Sequence, residues 1–145
     1  MNQHDFNQQQ AHRQPPVNEQ GRAYDPDASN DERTYAMFMH LTLLGHIPLS
    51  GLAIIAPFIM WNIKKEESPF LDDHGREAVN FQITLIIYSI LFIILAVPIT
   101  LLTCGVGALL AFLPAVLGLI GMIKAAIAAH KGEFYRYPMT FRFFN

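Results

Sequence analysis

Apolar positions along this chain gather into three long uncharged runs, with polar sequence before and between them. Tyr35 to Ile63 contains no Lys, Arg, Asp or Glu, and neither do Ile83 to Leu102 (ITLIIYSILFIILAVPITLL) and Gly105 to Ile123 (GVGALLAFLPAVLGLIGMI). Crossing roughly 30 Å of hydrocarbon takes about 20 apolar residues at about 1.5 Å each. Each run reaches that length. The pattern predicts an all-α integral membrane bundle with three transmembrane helices, at about residues 31–63, 77–103 and 106–130.

Breakers and caps refine the boundaries. Ser29 and Glu32 form the two ends of a capping box that starts the first helix. Its long run is interrupted at Gly45-His46-Ile47-Pro48 and at Pro57, where proline removes a backbone donor and clashes with the preceding turn. A tilted, kinked single span is the first reading, and a re-entrant hairpin turning at Gly45 to Gly51 is the alternative. The second and third helices carry Pro98 and Pro114, and the small residues from Thr103 to Gly107 join them as an antiparallel hairpin. Loop 64–76 is short and charged. The segment 131–145 (KGEFYRYPMTFRFFN) mixes six aromatic rings with basic residues, a composition suited to the headgroup layer.

Residues 1–30 are rich in Gln, Asn, Pro and Asp and hold too few apolar groups to offset the entropy of ordering them, so they read as a disordered polar tail. The domain proper is 31–145. No apolar signal-peptide core precedes it, which leaves the first helix to act as an uncleaved signal anchor. The net charge of −2 and the absence of a basic block argue against nucleic acid as a partner. Cys104, the single cysteine, excludes an intramolecular disulfide and a cysteine-rich metal site. No cofactor motif or metal-ligand spacing occurs, nor any nucleophile beside a base, so a non-enzymatic role is expected.

Basic residues set an expected orientation. Lys64, Lys65, Arg76, Lys131, Arg136 and Arg142 place loop 64–76 and the C-terminus in the cytoplasm. With a single first span the N-terminal tail then lies outside, in a multi-pass protein of the bacterial inner membrane, whereas the re-entrant alternative would bring the tail inside as well.

The candidate chemistry sits where the second helix begins. Asn80, Thr84 and Tyr88 recur every four residues and share a helical face with Glu77 nearby. Amides and hydroxyls in hydrocarbon must bond a neighbour or line a wet cavity. Lys124 lies about two turns inside the third helix, at comparable depth. Glu77, Asn80, Gln82, Thr84 and Lys124 are therefore the expected polar intramembrane cluster. Lys124 either snorkels to the interface or pairs inward with Glu77. Gly121, Ala125 and Ala129, four apart, form a small-residue face that lets another helix approach closely.

An ordered series of residues carries a family resemblance: Glu32-Arg33, Ala36-Met37, His40-Leu41, Pro57, Trp61, Lys64 to Phe70, His74, Glu77-Ala78, Asn80-Phe81-Gln82, Lys124-Ala125, Gly132-Glu133 and Tyr135 to Pro138. From 31 to 145 the chain resembles small bacterial membrane proteins of a domain family of unknown function, similar to the Tic twenty-type import component of the chloroplast inner envelope. His40, His74, Glu77, Asn80, Tyr137 and Pro138 are the positions that carry the motif. The resemblance implies a helical membrane bundle that self-associates or joins other membrane proteins to assist protein transport, insertion or membrane biogenesis. The alternative is a small transporter or channel, its polar path lined by the second and third helices.

Overall fold

The computed structural model describes residues 15–45 and 55–145. Four α-helices form the frame: α1 (Asn30–Leu41), α2 (Ala56–Lys64), α3 (Pro69–Leu102) and α4 (Leu113–His130). A 3-10 turn, Thr42–Gly45, extends α1, and another, Val106–Phe112, leads into α4. Among the described residues extended structure is confined to isolated bridges, Val17 with Ala23 and Tyr24 with Glu133.

The capping box at the start of α1 is present: Glu32 N–H donates to Ser29 Oγ at 3.2 Å, and Ser29 N–H donates to Glu32 Oε2 at 2.7 Å. The first run of apolar residues, however, is not one long span. The Tyr35 hydroxyl donates to the Met60 carbonyl at 2.9 Å across 25 positions of sequence. In a continuous helix those residues would stand about 37 Å apart. The chain therefore doubles back between α1 and α2, and each helix is too short to cross a bilayer. The break expected from Gly45 to Gly51 falls, from residue 46 on, outside the described residues. So does His46.

Two helical segments are long and apolar enough to cross a membrane, α3 and the stretch Val106–His130. α3 begins eight positions before the expected Glu77, because Ser68 caps it: its hydroxyl accepts Phe70 N–H at 3.2 Å, with Pro69 in the first turn. At 34 residues α3 is about 51 Å long, more than hydrocarbon requires. Its first part, through Gln82, is packed inside a polar head. The remainder presents Ile90, Leu91, Ile93, Ile94, Leu101 and Leu102 outward. At the far tip the chain reverses through Cys104 (φ 50°) and Gly105 (φ 103°). Gly107 packs so closely on α3 that a Cβ there would lie 2.5 Å from the Thr100 nitrogen.

The head holds the core. Ala28, Ala36, Met39, Trp61, Phe70, Leu71, Val79 and Ala129 form one buried cluster, and Phe81, Met122, Ala125 and Tyr137 another. α1 lies against α4, with Ala36, Ala125 and Ala129 all fully buried. Gly75 lets α2 reach α3; a Cβ there would meet Trp61 Cδ1 at 2.2 Å.

Residues 15–29 depart from the expected disorder. Asp25 N–H donates to the Gly132 carbonyl and Phe134 N–H to the Ala23 carbonyl, both at 2.9 Å. Arg22 bridges Glu133 at 2.8 Å, and Asn18 Nδ2 donates to the same carboxylate at 2.9 Å. Few apolar side chains are needed because backbone and charge-assisted bonds do the tying. The N-terminal segment lies beside 132–134, so it shares one end of the molecule with the start of the C-terminal segment.

Candidate functional site

The polar face of α3 meets the C-terminal segment, residues 131–145, which lies along it in irregular form. Asn80 is the clamp. Its Oδ1 accepts Phe143 N–H and Phe144 N–H, both at 3.0 Å, and its Nδ2 donates to the Phe144 carbonyl at 2.8 Å. One turn on, Thr84 Oγ1 accepts Phe141 N–H at 3.0 Å while donating to the Asn80 carbonyl at 2.8 Å. Another turn on, the Tyr88 hydroxyl donates to the Met139 carbonyl at 2.8 Å. The four-residue spacing read from the sequence is thus a ladder that satisfies the backbone of an irregular segment. Such a segment near hydrocarbon needs this, because its unpaired amides would be costly there.

Charged groups frame the ladder. Arg136 grips Asp73 with two bonds of 2.6 Å, and this carboxylate holds the guanidinium above its ordinary range. Glu77, buried, receives Arg142 Nε at 3.3 Å, Arg136 Nε at 3.6 Å and Tyr137 N–H at 3.4 Å. Lys124 takes no part. It is exposed on the outer face of α4 between Ile123 and Ile127, which are exposed as well. About 9 Å of helix separates it from the end of α4, within reach of a snorkelling side chain. The inward pairing of Lys124 with Glu77 is therefore replaced by two arginines from the C-terminal segment. Gln82 is buried, but off the ladder, and its Oε1 has no hydrogen-bond partner.

Beneath the ladder runs a buried chain of ring groups. The Tyr137 hydroxyl lies 2.8 Å from His40 Nδ1, and His40 Nε2 lies 2.9 Å from His74 Nδ1. His40 and His74 are fully buried and Tyr137 is 3 % exposed. Burial raises the Tyr137 phenol well above its usual range and lowers the His40 imidazole well below its own. Tyr137 also stacks on Phe81, with centroids 3.7 Å apart, and His74 lies parallel to Phe134 at 6.1 Å. The chain joins α1, α3 and the C-terminal segment.

Gly121, Ala125 and Ala129 meet different neighbours. A Cβ on Gly121 would lie 3.1 Å from Phe81 and 3.3 Å from Tyr137, so Gly121 makes room for the stacked pair. Ala125 joins the Tyr137 cluster and Ala129 the cluster of α1. The close approach between α3 and α4 falls at Gly118, where a Cβ would meet Leu85 at 2.9 Å. Sequence reading passed over Gly118, Gly75 and the two histidines' contact. Only their residue types were visible, not the pairing across 34 positions. Pro138 is exposed and touches none of these bonds.

A groove of about 1070 Å³ lies between the N-terminal segment and the start of α3. Charges in and beside it are largely spent on one another, as in Arg76 with Asp72 at 3.0 Å, Asp73 with Arg136, and Lys64 with Glu67 at 2.6 Å. Among the described residues no group of three or more His, Cys, Asp or Glu side chains could hold a metal ion.

The chain belongs to the magnetosome magnetite crystal formation protein family (MamF/MmsF), which it matches over residues 31–144. No curated protein and no solved structure matches it. Family membership overturns the expected kinship with Tic twenty-type import components. His40, His74, Glu77, Asn80 and Tyr137, which carried that resemblance, hold the head and its C-terminal segment together, and residues that secure packing do not specify an activity.

Proposed function

We propose that this member of the magnetosome magnetite crystal formation protein family is a non-enzymatic integral protein of the magnetosome membrane that takes part in forming the crystal. Family membership over residues 31–144 carries the reading. It replaces the expected assistance of protein transport, which rested on the other kinship. A hairpin of α3 and Val106–His130 inserts in the bilayer, and its outward Ile, Leu, Val and Phe side chains contact lipid. The polar head stays on one side.

The distribution of basic residues supports a cytoplasmic location for that side. Arg22, Arg33, Lys64, Lys65, Arg76, Lys131, Arg136 and Arg142 all belong to the head, whereas the turn at Thr103, Cys104 and Gly105 has no charged residue. The mineral side would then see only a small uncharged tip. In that arrangement the protein acts on crystal growth through an oligomer or other membrane proteins that its head gathers, and not by gripping mineral itself. The channel alternative is disfavoured by the ladder: Glu77, Asn80 and Thr84 spend their bonding capacity on the C-terminal segment.

Reporter fusions at Gly21 and after Asn145, expressed in a magnetite-forming host lacking the protein, test both halves. Both fusions should report cytoplasmic, and the untagged chain should restore crystal size and number. Reporters on opposite sides would refute the two-span topology, and unchanged crystals in the deletion strain would refute the role.

A further inference from the structure

The buried chain Tyr137–His40–His74 does more than fill space. It joins three elements through the only contacts of its kind among the described residues, and it works while both imidazoles are neutral. One self-consistent arrangement runs in a single direction: Tyr137 O–H donates to His40 Nδ1, and His40 Nε2–H donates to His74 Nδ1. That leaves the His74 Nε2 proton facing the Glu133 backbone without a bond of good hydrogen-bond geometry. An added proton would have to be carried in a site walled by Phe70 and Phe134.

No spare counter-ion is at hand. The charged and titratable groups around the pair are Asp73 and Glu77 on α3, and Glu133 (held by Arg22 and Asn18), Tyr135, Arg136 and Tyr137 on the C-terminal segment. Asp73 is already held by Arg136 through two bonds, and Glu77 by Arg136 and Arg142. The buried positions of α4 are Pro114, Gly118, Met122 and four alanines, so α4 adds no charge.

We propose that this chain is an acid-sensitive latch, in which protonation of the His40–His74 pair releases the C-terminal segment from α3 and uncovers Glu77, Asn80 and Thr84. The direction follows from burial. His40 sits below its usual range in the latched form and moves back toward that range when the segment leaves and water reaches the ring. Release therefore binds a proton. The latch is at full strength above about pH 6.5 and weakens as pH falls below it. Each unit of pH through this window shifts the latched-to-released ratio by up to about tenfold per proton taken up.

Hydrogen exchange on the full-length protein in lipid nanodiscs, corrected for the intrinsic pH dependence of exchange, reads the latch directly. Between about pH 7.5 and about pH 5 the amides of Phe141, Phe143 and Phe144 should lose about tenfold or more of their protection. Amides in the middle of α3 and α4 should keep theirs. Unchanged protection of the segment would overturn the proposal, and so would equal loss through all helices, which is general unfolding. His40→Gln with His74→Gln should make the segment's protection independent of pH; a retained dependence would overturn the assignment to the histidines. Should that variant fail to fold, imidazole resonances of the wild-type protein supply the same decision. Their titration must share its midpoint with release of the segment, and separate midpoints would refute the latch.

Discussion

Replacing Asn80 by Leu tests the ladder at its strongest rung. The side chain is nearly isosteric, and it removes three bonds at once: two accepted from Phe143 and Phe144, one donated to Phe144. A net bond in a protein contributes about 0.5–1.5 kcal/mol, so three amount to about 1.5–4.5 kcal/mol. The lower end is expected to apply, because residues 141–145 are exposed and their freed amides can find water in the headgroup layer. At about 1.4 kcal/mol per tenfold change, docking of the segment should weaken by about one decade. The helical frame should survive, since among the described residues the Asn80 side chain bonds the segment alone. Hydrogen exchange at Phe143 and Phe144 gives the measurement, with α3 amides as internal reference. Thr84→Val and Tyr88→Phe each break one bond to the segment and should show roughly a third of the effect. Wild-type protection of Phe143 in the Asn80→Leu protein would refute the ladder, as would α3 losing protection together with the segment.

Two further outcomes are expected. Gly75→Ala should destabilise the head by about 1–3 kcal/mol or more, because its Cβ would fall 2.2 Å from the Trp61 ring and either α2 or the indole must move; a melting temperature equal to wild type would refute the close approach. Lys124→Met and Glu77→Gln should add within about 0.5 kcal/mol in a double-mutant cycle on detergent stability, the lysine change being small by itself, and a larger coupling would show that the two residues meet after all.

What the sequence made legible follows the range of the interactions involved. The apolar runs of α3 and Val106–His130, the capping box at Ser29 and the face shared by Asn80, Thr84 and Tyr88 are all set by spacings of a few residues, and local periodicity exposes such patterns. The length of α3 was readable only in part. A charged stretch such as Asp72 to Glu77 looks like a loop until Ser68 is seen to cap it and Asp73 to meet Arg136. Hydropathy gave the uncharged run at 35–63 the weight of a span, because composition does not say that Tyr35 and Met60 touch. The partners of Glu77 were equally hidden. Lys124 stood at the right depth, but depth is one coordinate of three, and α4 turns that side chain outward.

The resemblance that misled on kinship shows why function was harder to read than fold. Of its motif positions, His40, His74 and Tyr137 form one bonded chain, Asn80 holds the backbone at 143–144, and Glu77 anchors two arginines. Every one of these roles is internal to the head. A membrane protein that keeps an irregular segment beside the bilayer must bond that segment's backbone somewhere, whatever else it does. Residues of this kind identify a way of building the protein, while an activity lives on surfaces left free. Here those surfaces are the apolar flanks of the hairpin, the uncharged tip at 103–105 and the outer face of the head. The first two are apolar or uncharged, and the charged groups of the molecule gather on the head.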